Sequence, residues 1–295
     1  MNDRLVLGTV QLGMPYGISN MSGKPDFNSA CDIIKTAFDQ GITRFDTAQA
    51  YGDSEEILGK IFDKFRISAQ IKVYSKLYSG LDLRNEDVVL RSVEDSLRKL
   101  NMGQLEGLLL HDEDEIRFWD EGLGNALRRL VAQGKVKLIG ISFYTPQKAL
   151  DALDIDGINV IQVPANVFDR RFEDAGVFKK AQERGKEVFI RSVFLQGLLL
   201  MEPNAIPEKI WLARSAVAEF EKLASAWRLQ RKDLALRYVL NKWRSARVVV
   251  GAETAQQVAD NVNISIQDLP LECIYQIDRA FEKVEQKIIN PVEWV

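Results

Sequence analysis

Short, almost wholly apolar runs alternate with amphipathic stretches along the entire chain. Eight such runs fall at roughly 5–10, 43–47, 71–76, 108–111, 138–142, 160–163, 188–192 and 248–251. Runs that are apolar throughout suit strands of a parallel sheet covered on both faces. Between them, apolar residues recur at helical spacing; Leu123, Leu127, Leu130 and Val131, for example, share one helical face. Gly41, Gly134 and Gly185 each follow such a stretch and precede the next apolar run. Glycine there supplies the left-handed conformation that ends a helix. The stretch 172–184 reads as one helix stopped by Gly185, two helices near 208–227 and 231–242 separate the last two runs, and another lies near 270–286. Eight strands with intervening helices predict an α/β fold, a (β/α)8 TIM barrel, as one domain over residues 1–295. A doubly wound sheet has the same alternation, but no Gly-x-Gly-x-x-Gly follows the first run.

Composition narrows the partners. With 46% hydrophobic and 27% charged residues the chain reads as globular. Lys and Arg total 39 against 42 Asp and Glu, a net charge of -3, which argues against a nucleic-acid partner. No apolar run approaches a membrane span. The start, Met1 to Arg4, is polar and leads straight into a strand, so no signal peptide is expected. Cys31 and Cys273 are far apart, outside any metal or redox spacing, and read as buried free thiols. A cytoplasmic protein with a small-molecule partner is expected; oligomeric state is not legible.

In a parallel barrel, chemistry collects at the carboxyl ends of the strands. The second run ends Arg44-Phe45-Asp46-Thr47 with Tyr51 in the following loop, the third ends at Lys76, and the fourth at His111, the only histidine. Singly, these residues have plain structural readings: a packed histidine, a surface lysine, a capping carboxylate. Together, on three neighbouring strand ends, they form a chemical set. A phenol with a pKa near ~10 is a poor acid at neutral pH. A nearby ammonium favours the phenolate, a carboxylate keeps that ammonium charged, and a neutral imidazole can hydrogen-bond a carbonyl oxygen. The result is a proton donor beside an oxygen that becomes an alkoxide. No side chain supplies hydride, so a nicotinamide cofactor is required. One histidine and no clustered cysteines make a poor metal site, and none is expected.

The stretch from Gly41 to Glu55, with Asp46, Tyr51 and Gly52 inside it, closely resembles the signature of the aldo-keto reductase family. Lys76 and His111 fall where that family's remaining catalytic residues stand, and the resemblance runs from Leu7-Gly8-Thr9 to Asp260-Asn261. It implies NAD(P)H-dependent reduction of an aldehyde or ketone to an alcohol. Tyr51 would be the general acid, Lys76 paired with Asp46 would lower its pKa, and His111 would orient the carbonyl. Ser142 and Gln162 would hold the nicotinamide carboxamide, with Gly8, Thr9, Asp46, Arg191 and Ser192 also contacting the cofactor. Gly251, Ala252, Glu253, Thr254, Gln257, Asp260 and Asn261 would form the adenosine-binding turn and helix.

Three departures matter. Phe143 stands where the family often has Asn, and Arg191 where many members stack a Tyr on the nicotinamide. The run 251–261 holds no cation and two acids, Glu253 and Asp260. The resemblance favours NADPH, whose 2′-phosphate normally meets Arg or Lys; the local charges predict that NADH is usable. Lys242, Arg244 or Arg247 would be the nearest cations in sequence to restore phosphate binding. Asp53 and Glu56 read as a capping box, and Arg170-Arg171 as a solvated loop. Leu195, Leu198, Phe168 and Met14 are expected as apolar pocket lining, and Trp294 as a residue that borders it. A sugar or small aldehyde is the substrate class expected. The alternative is a non-catalytic, cofactor-sensing or scaffold protein that keeps the nicotinamide site.

Overall fold

The eight apolar runs fold as eight parallel strands in the computed structural model, which describes residues 3–20 and 22–294. They are β1 Leu5–Gly8, β2 Arg44–Asp46, β3 Lys72–Leu77, β4 Leu105–Leu110, β5 Val136–Ser142, β6 Val160–Pro164, β7 Glu187–Arg191 and β8 Arg247–Gly251. Each pairs with the next, and β1 closes on β8 with Leu5 opposite Val248 and Gly8 opposite Gly251. Met1 and Asn2, part of the polar start noted above, lie outside the described residues.

Side chains alternate across a strand, and that parity sorts the barrel interior into layers. At the floor are ion pairs: Lys72–Glu106 at 3.0 Å and Arg247–Glu187 at 3.0 Å, with Arg44 on Asp3. The middle is an apolar plug of Val6, Tyr74, Leu109, Val160 and Phe189, with the Tyr74 and Phe189 rings 4.7 Å apart. Gly107 makes room for it, since a Cβ there would meet Cδ1 of Tyr74 at 2.4 Å. One step further toward the carboxyl ends the same parity brings Gly8, Asp46, Lys76, Ser142, Gln162, Arg191 and Gly251 to the mouth. The other parity buries Leu5, Leu7, Phe45 and Val73 against the helices.

The outer layer comprises α1 Val10–Gly13, α2 Phe27–Asp39, α3 Ser54–Phe65, α4 Glu86–Leu100, α5 Leu123–Ala132, α6 Pro146–Ala152, α7 Arg171–Asp174, α8 Val177–Glu183, α9 Ala213–Ala226, α10 Arg231–Lys242, α11 Ala255–Ser265 and α12 Leu271–Ala280. Asp26 and Asn85 cap α2 and α4 through backbone N–H groups of the first turn. Three expectations change. The helix at 172–184 breaks into α7 and α8 at Gly176, whose φ is +81°. The helix expected from 208 begins at Ala213, and the one near 270–286 ends at Ala280. The 53–56 capping box does not form: Asp53 makes no capping bond and instead pairs with Lys24 at 2.5 Å.

Candidate active site

Asp46 ends β2 and Lys76 lies on β3, two residues beyond the register partner of Asp46, Tyr74. That offset lets the two inward side chains meet: Lys76 Nζ lies 2.6 Å from Asp46 Oδ2 and donates to the Thr47 carbonyl at 3.0 Å. Both are buried. The second Asp46 oxygen, Oδ1, accepts from Gln162 Nε2 across the barrel at 2.8 Å. The Tyr51 ring lies over this pair, with Lys76 Nζ 5.0 Å from its centroid. His111, the first residue past β4, meets Tyr51 edge to face at 5.6 Å between centroids. The four residues expected to form the reaction centre therefore converge at the barrel mouth.

Their electrostatics follow from burial and the Lys76 charge. Burial pushes the Tyr51 phenol above its ordinary pKa, and Lys76 only partly opposes it. Lys76 thus acts in the expected direction but burial outweighs it, and the phenol keeps its proton at neutral pH. Burial pulls Lys76 down, but the charge of Asp46 and its hydrogen bond outweigh this and hold it above the usual value. His111 is lowered to about 4, first by burial and then by repulsion from Lys76. At neutral pH the site therefore presents a neutral imidazole, a protonated phenol and a buried ammonium.

The loop carrying Tyr51 is fastened by polar contacts that sequence reasoning did not identify. Ser54 Oγ, the first residue of α3, lies 3.0 Å from the hydroxyls of Thr9 and Thr47 and donates to the Thr9 carbonyl at 3.0 Å. Glu55, equally buried, accepts from Ser75 at 2.6 Å and Ser96 at 3.2 Å. A carboxylate inside a protein is tolerated only when so satisfied. The residues are separated by 20 and 41 positions, which hides the contact from local patterns.

A cavity of about 320 Å³ opens beside the tetrad. Asp46, Tyr51, Gln162, Arg191 and Ser192 line one part of it; Gly251, Ala252, Glu253, Gln257 and Asn261 line another, and Gly8 and Thr9 lie on its wall. Thr9 contributes surface but spends its hydroxyl on Asp46 O and Ser54. Ser142 is buried at the end of β5, in register with Gln162. Thr254 caps α11 by accepting from the Gln257 N–H at 3.1 Å. Asp260 is not on the wall; it pairs with Lys232, which is. Arg191 donates to the Phe143 carbonyl at 3.1 Å and stacks 4.2 Å from the Tyr144 ring centroid, so two departures from the family pattern meet in one contact. Glu113 secures that contact by accepting from the Tyr144 and Thr145 N–H groups at 2.7 and 2.9 Å.

Several features of the wall suit a dinucleotide. The buried acceptors Gln11 Oε1 and Asn261 Oδ1 have no hydrogen-bond partner among the described residues. Buried acceptors normally have one, and ribose hydroxyls or an adenine amine would supply it. A Cβ on Gly251 would meet the Gln11 side chain at 2.4 Å, so glycine keeps this end open. Other expectations are corrected. Leu195, Leu198 and Phe168 are packed into the core rather than the cavity, and Met14 is exposed outside it. Trp294 is buried, donating to Lys287 O at 2.9 Å away from the wall. Arg170 and Arg171 are ion-paired, with Asp278 at 3.5 Å and Asp169 at 2.8 Å, rather than solvated. Lys242, Arg244 and Arg247 are bound to Asp278, Asp268 and Glu187 and do not line the cavity.

The same barrel recurs in solved structures. The holo form of an aldo-keto reductase from Bacillus halodurans superposes with a TM-score of 0.78 over 97% of this chain and 95% of that one, at 24% identity, a likeness of fold. A glycerol dehydrogenase from Gluconobacter oxydans gives 0.75 over 98% and 93%, at 25% identity. Among curated relatives, the aldo-keto reductase YhdN of Bacillus subtilis is 28% identical across 66% of this chain and 60% of its own length. The L-glyceraldehyde 3-phosphate reductase of Escherichia coli O157:H7 is 24% identical across 88% and 84%. The sequence model of the Aldo/keto reductase family matches residues 4–282, from the start of β1 past the end of α12. By that match across nearly its whole length, the chain belongs to the aldo-keto reductase family of NAD(P)H-dependent oxidoreductases.

Proposed function

We propose that the protein reduces a small aldehyde or ketone to the alcohol, with Tyr51 as proton donor and either NADH or NADPH as reductant. The observation that carries this reading is the convergence of Tyr51, His111 and the buried Lys76–Asp46 pair beside a cavity that Tyr51 and Asp46 line and that the orphaned acceptors of Gln11 and Asn261 also line. Bound nicotinamide supplies the hydride. Gln162, whose N–H is committed to Asp46, keeps its carbonyl for the carboxamide, beside Ser142. Gly251, Gln257 and Asn261 would hold the adenosine end.

His111, neutral because its pKa is about 4, donates an N–H to the substrate carbonyl oxygen and fixes its direction. Negative charge grows on that oxygen in the transition state, and the Tyr51 hydroxyl hands it a proton. Lys76 stabilises the phenolate left behind, and Asp46 keeps the lysine charged and aimed. The relatives named as acting on glyceraldehyde phosphate and glycerol support a polyol-like or small aldehyde substrate.

The test is Tyr51→Phe. The phenol acts only in the transition state, so its loss falls on kcat. We expect kcat to drop about 10²–10⁴-fold, with the Kd for NADH and NADPH, read by fluorescence titration, moving less than about twofold. Near-wild-type turnover by the variant on the best of a panel of aldoses, keto sugars and aromatic aldehydes would remove Tyr51 from this role. Wild-type protein that binds both cofactors yet turns over none of the panel would favour the cofactor-sensing alternative.

A further inference from the structure

The segment 251–261 offers no cation, and the three basic residues that sequence proximity suggested are engaged elsewhere. The cavity nevertheless contains an ammonium at that end. Lys232, in the first turn of α10, lines the cavity together with Glu253, Gln257 and Asn261. Its Nζ lies 3.3 Å from Asp260 Oδ2. The buried Lys76–Asp46 contact is 2.6 Å, so the Lys232 pair is the looser one. Asp260 is anchored on its own helix, where its Oδ1 accepts from Gln256 Nε2 at 2.8 Å. Lys232 is thus the member free to turn, on a flexible four-carbon stem with three donors. Arg191, also on the wall, is held at the Tyr51 end by Phe143 O and the Tyr144 ring. Lys232 and Glu253 are therefore the opposed charges at the far end.

Resting on the reading of this cavity as a nicotinamide dinucleotide site, we propose that Lys232 is the specificity-determining cation for the cofactor's ribose 2′-phosphate. It reaches that phosphate from α10 rather than from the segment after β8, with Asp260 as its counter-ion when the phosphate is absent. Glu253 opposes the same dianion and accepts from a free 2′-hydroxyl. The two side chains pull in opposite directions, so cofactor choice is a balance between α10 and the turn that follows β8, and both cofactors are used. A charge-assisted contact between an ammonium and a phosphate is among the stronger polar contacts available to a surface lysine. Its loss is selective because NADH has nothing for it to touch.

Binding decides this without turnover. Wild type, Lys232→Met and Lys232→Arg are titrated with NADPH and NADH, and with 2′,5′-ADP and 5′-AMP, which differ at the same phosphate. We expect Lys232→Met to weaken NADPH and 2′,5′-ADP by about tenfold or more, to change NADH and 5′-AMP by far less, and Lys232→Arg to retain the preference. Equal weakening of both members of each pair would place Lys232 on a phosphate common to the two and overturn the proposal. So would an unchanged NADPH affinity, or a wild type that binds NADH but shows no measurable NADPH binding. If wild type binds none of the four ligands, the dinucleotide reading itself falls.

Discussion

His111 and Glu115 lie on the same loop after β4 and are displaced from their ordinary pKa values in opposite directions. Glu115 is raised to about 7, first by burial, with hydrogen bonds from the loop backbone opposing only partly. Its Oε1 has no partner among the described residues. A carboxylate whose folded pKa exceeds its unfolded value, 4.5, contributes stability that is fully present below pH 4.5 and lost as the pH rises through 7. Glu115→Gln should therefore raise stability at pH 8 by about 1–3 kcal/mol and change it little at pH 4.5. Urea midpoints at the two pH values measure this, and an equal shift at both would show that ionisation is not the cause. His111 has the other sign: with a folded pKa of about 4, its penalty begins below 6.5 and is complete near 4. Asp46, Lys76, Gln162 and Arg191 were legible as residues because strand parity alone sends them to the mouth. Lys232, Glu55 and Glu115 were not, because each acquires its chemistry from partners or burial that only the fold supplies.

At the level of elements, strands and their order were readable because a covered parallel strand must be apolar throughout. Helix limits were less so: hydrophobic periodicity runs through Gly176 without a break, whereas the backbone there turns left-handed. Loops were read least well. The end of α1 and the turn carrying Tyr51 interlock so closely that a Cβ on Gly13 would meet the Tyr51 carbonyl oxygen at 1.7 Å and the Ser54 nitrogen at 2.8 Å. No side-chain rotation relieves a clash with backbone, so Gly13→Ala must move the turn. A displacement of about 1 Å at a reacting group can cost about 10²-fold. We expect Gly13→Ala to lower kcat at least tenfold while destabilising by only about 1–3 kcal/mol. Gly103→Ala is the control, since nothing lies within 4 Å of its added Cβ. Unchanged kcat in Gly13→Ala would mean that the turn yields without moving Tyr51.

The whole barrel separates stability from function along its axis. The mouth carries the polar tetrad and the cavity, whereas the floor carries charges used for closure. Arg4, just before β1, donates through Nε, Nη1 and Nη2 to the carbonyls of Ala246, Leu240 and Trp243, at 3.1, 2.8 and 2.9 Å. Those carbonyls belong to the last turn of α10 and the segment leading into β8. One side chain thus fastens the first strand to the connection that delivers the last, where Val248 N–H donates to the Arg4 carbonyl at 2.8 Å. The sequence gives no sign of this, since 236 to 242 residues separate the partners. Arg4→Met keeps much of the stem but leaves three carbonyls without their donor, at a cost of about 1–3 kcal/mol for each one shut off from water. Some will reach solvent, so the net loss should be about 3 kcal/mol, or roughly 6 °C in Tm for a chain of this size. The tetrad lies beyond the apolar plug, so kcat/KM at 25 °C should remain within about twofold of wild type. Thermal unfolding and steady-state kinetics on the same preparation test both halves. A fall in kcat/KM matching the fall in Tm would show that the two ends of the barrel are mechanically coupled.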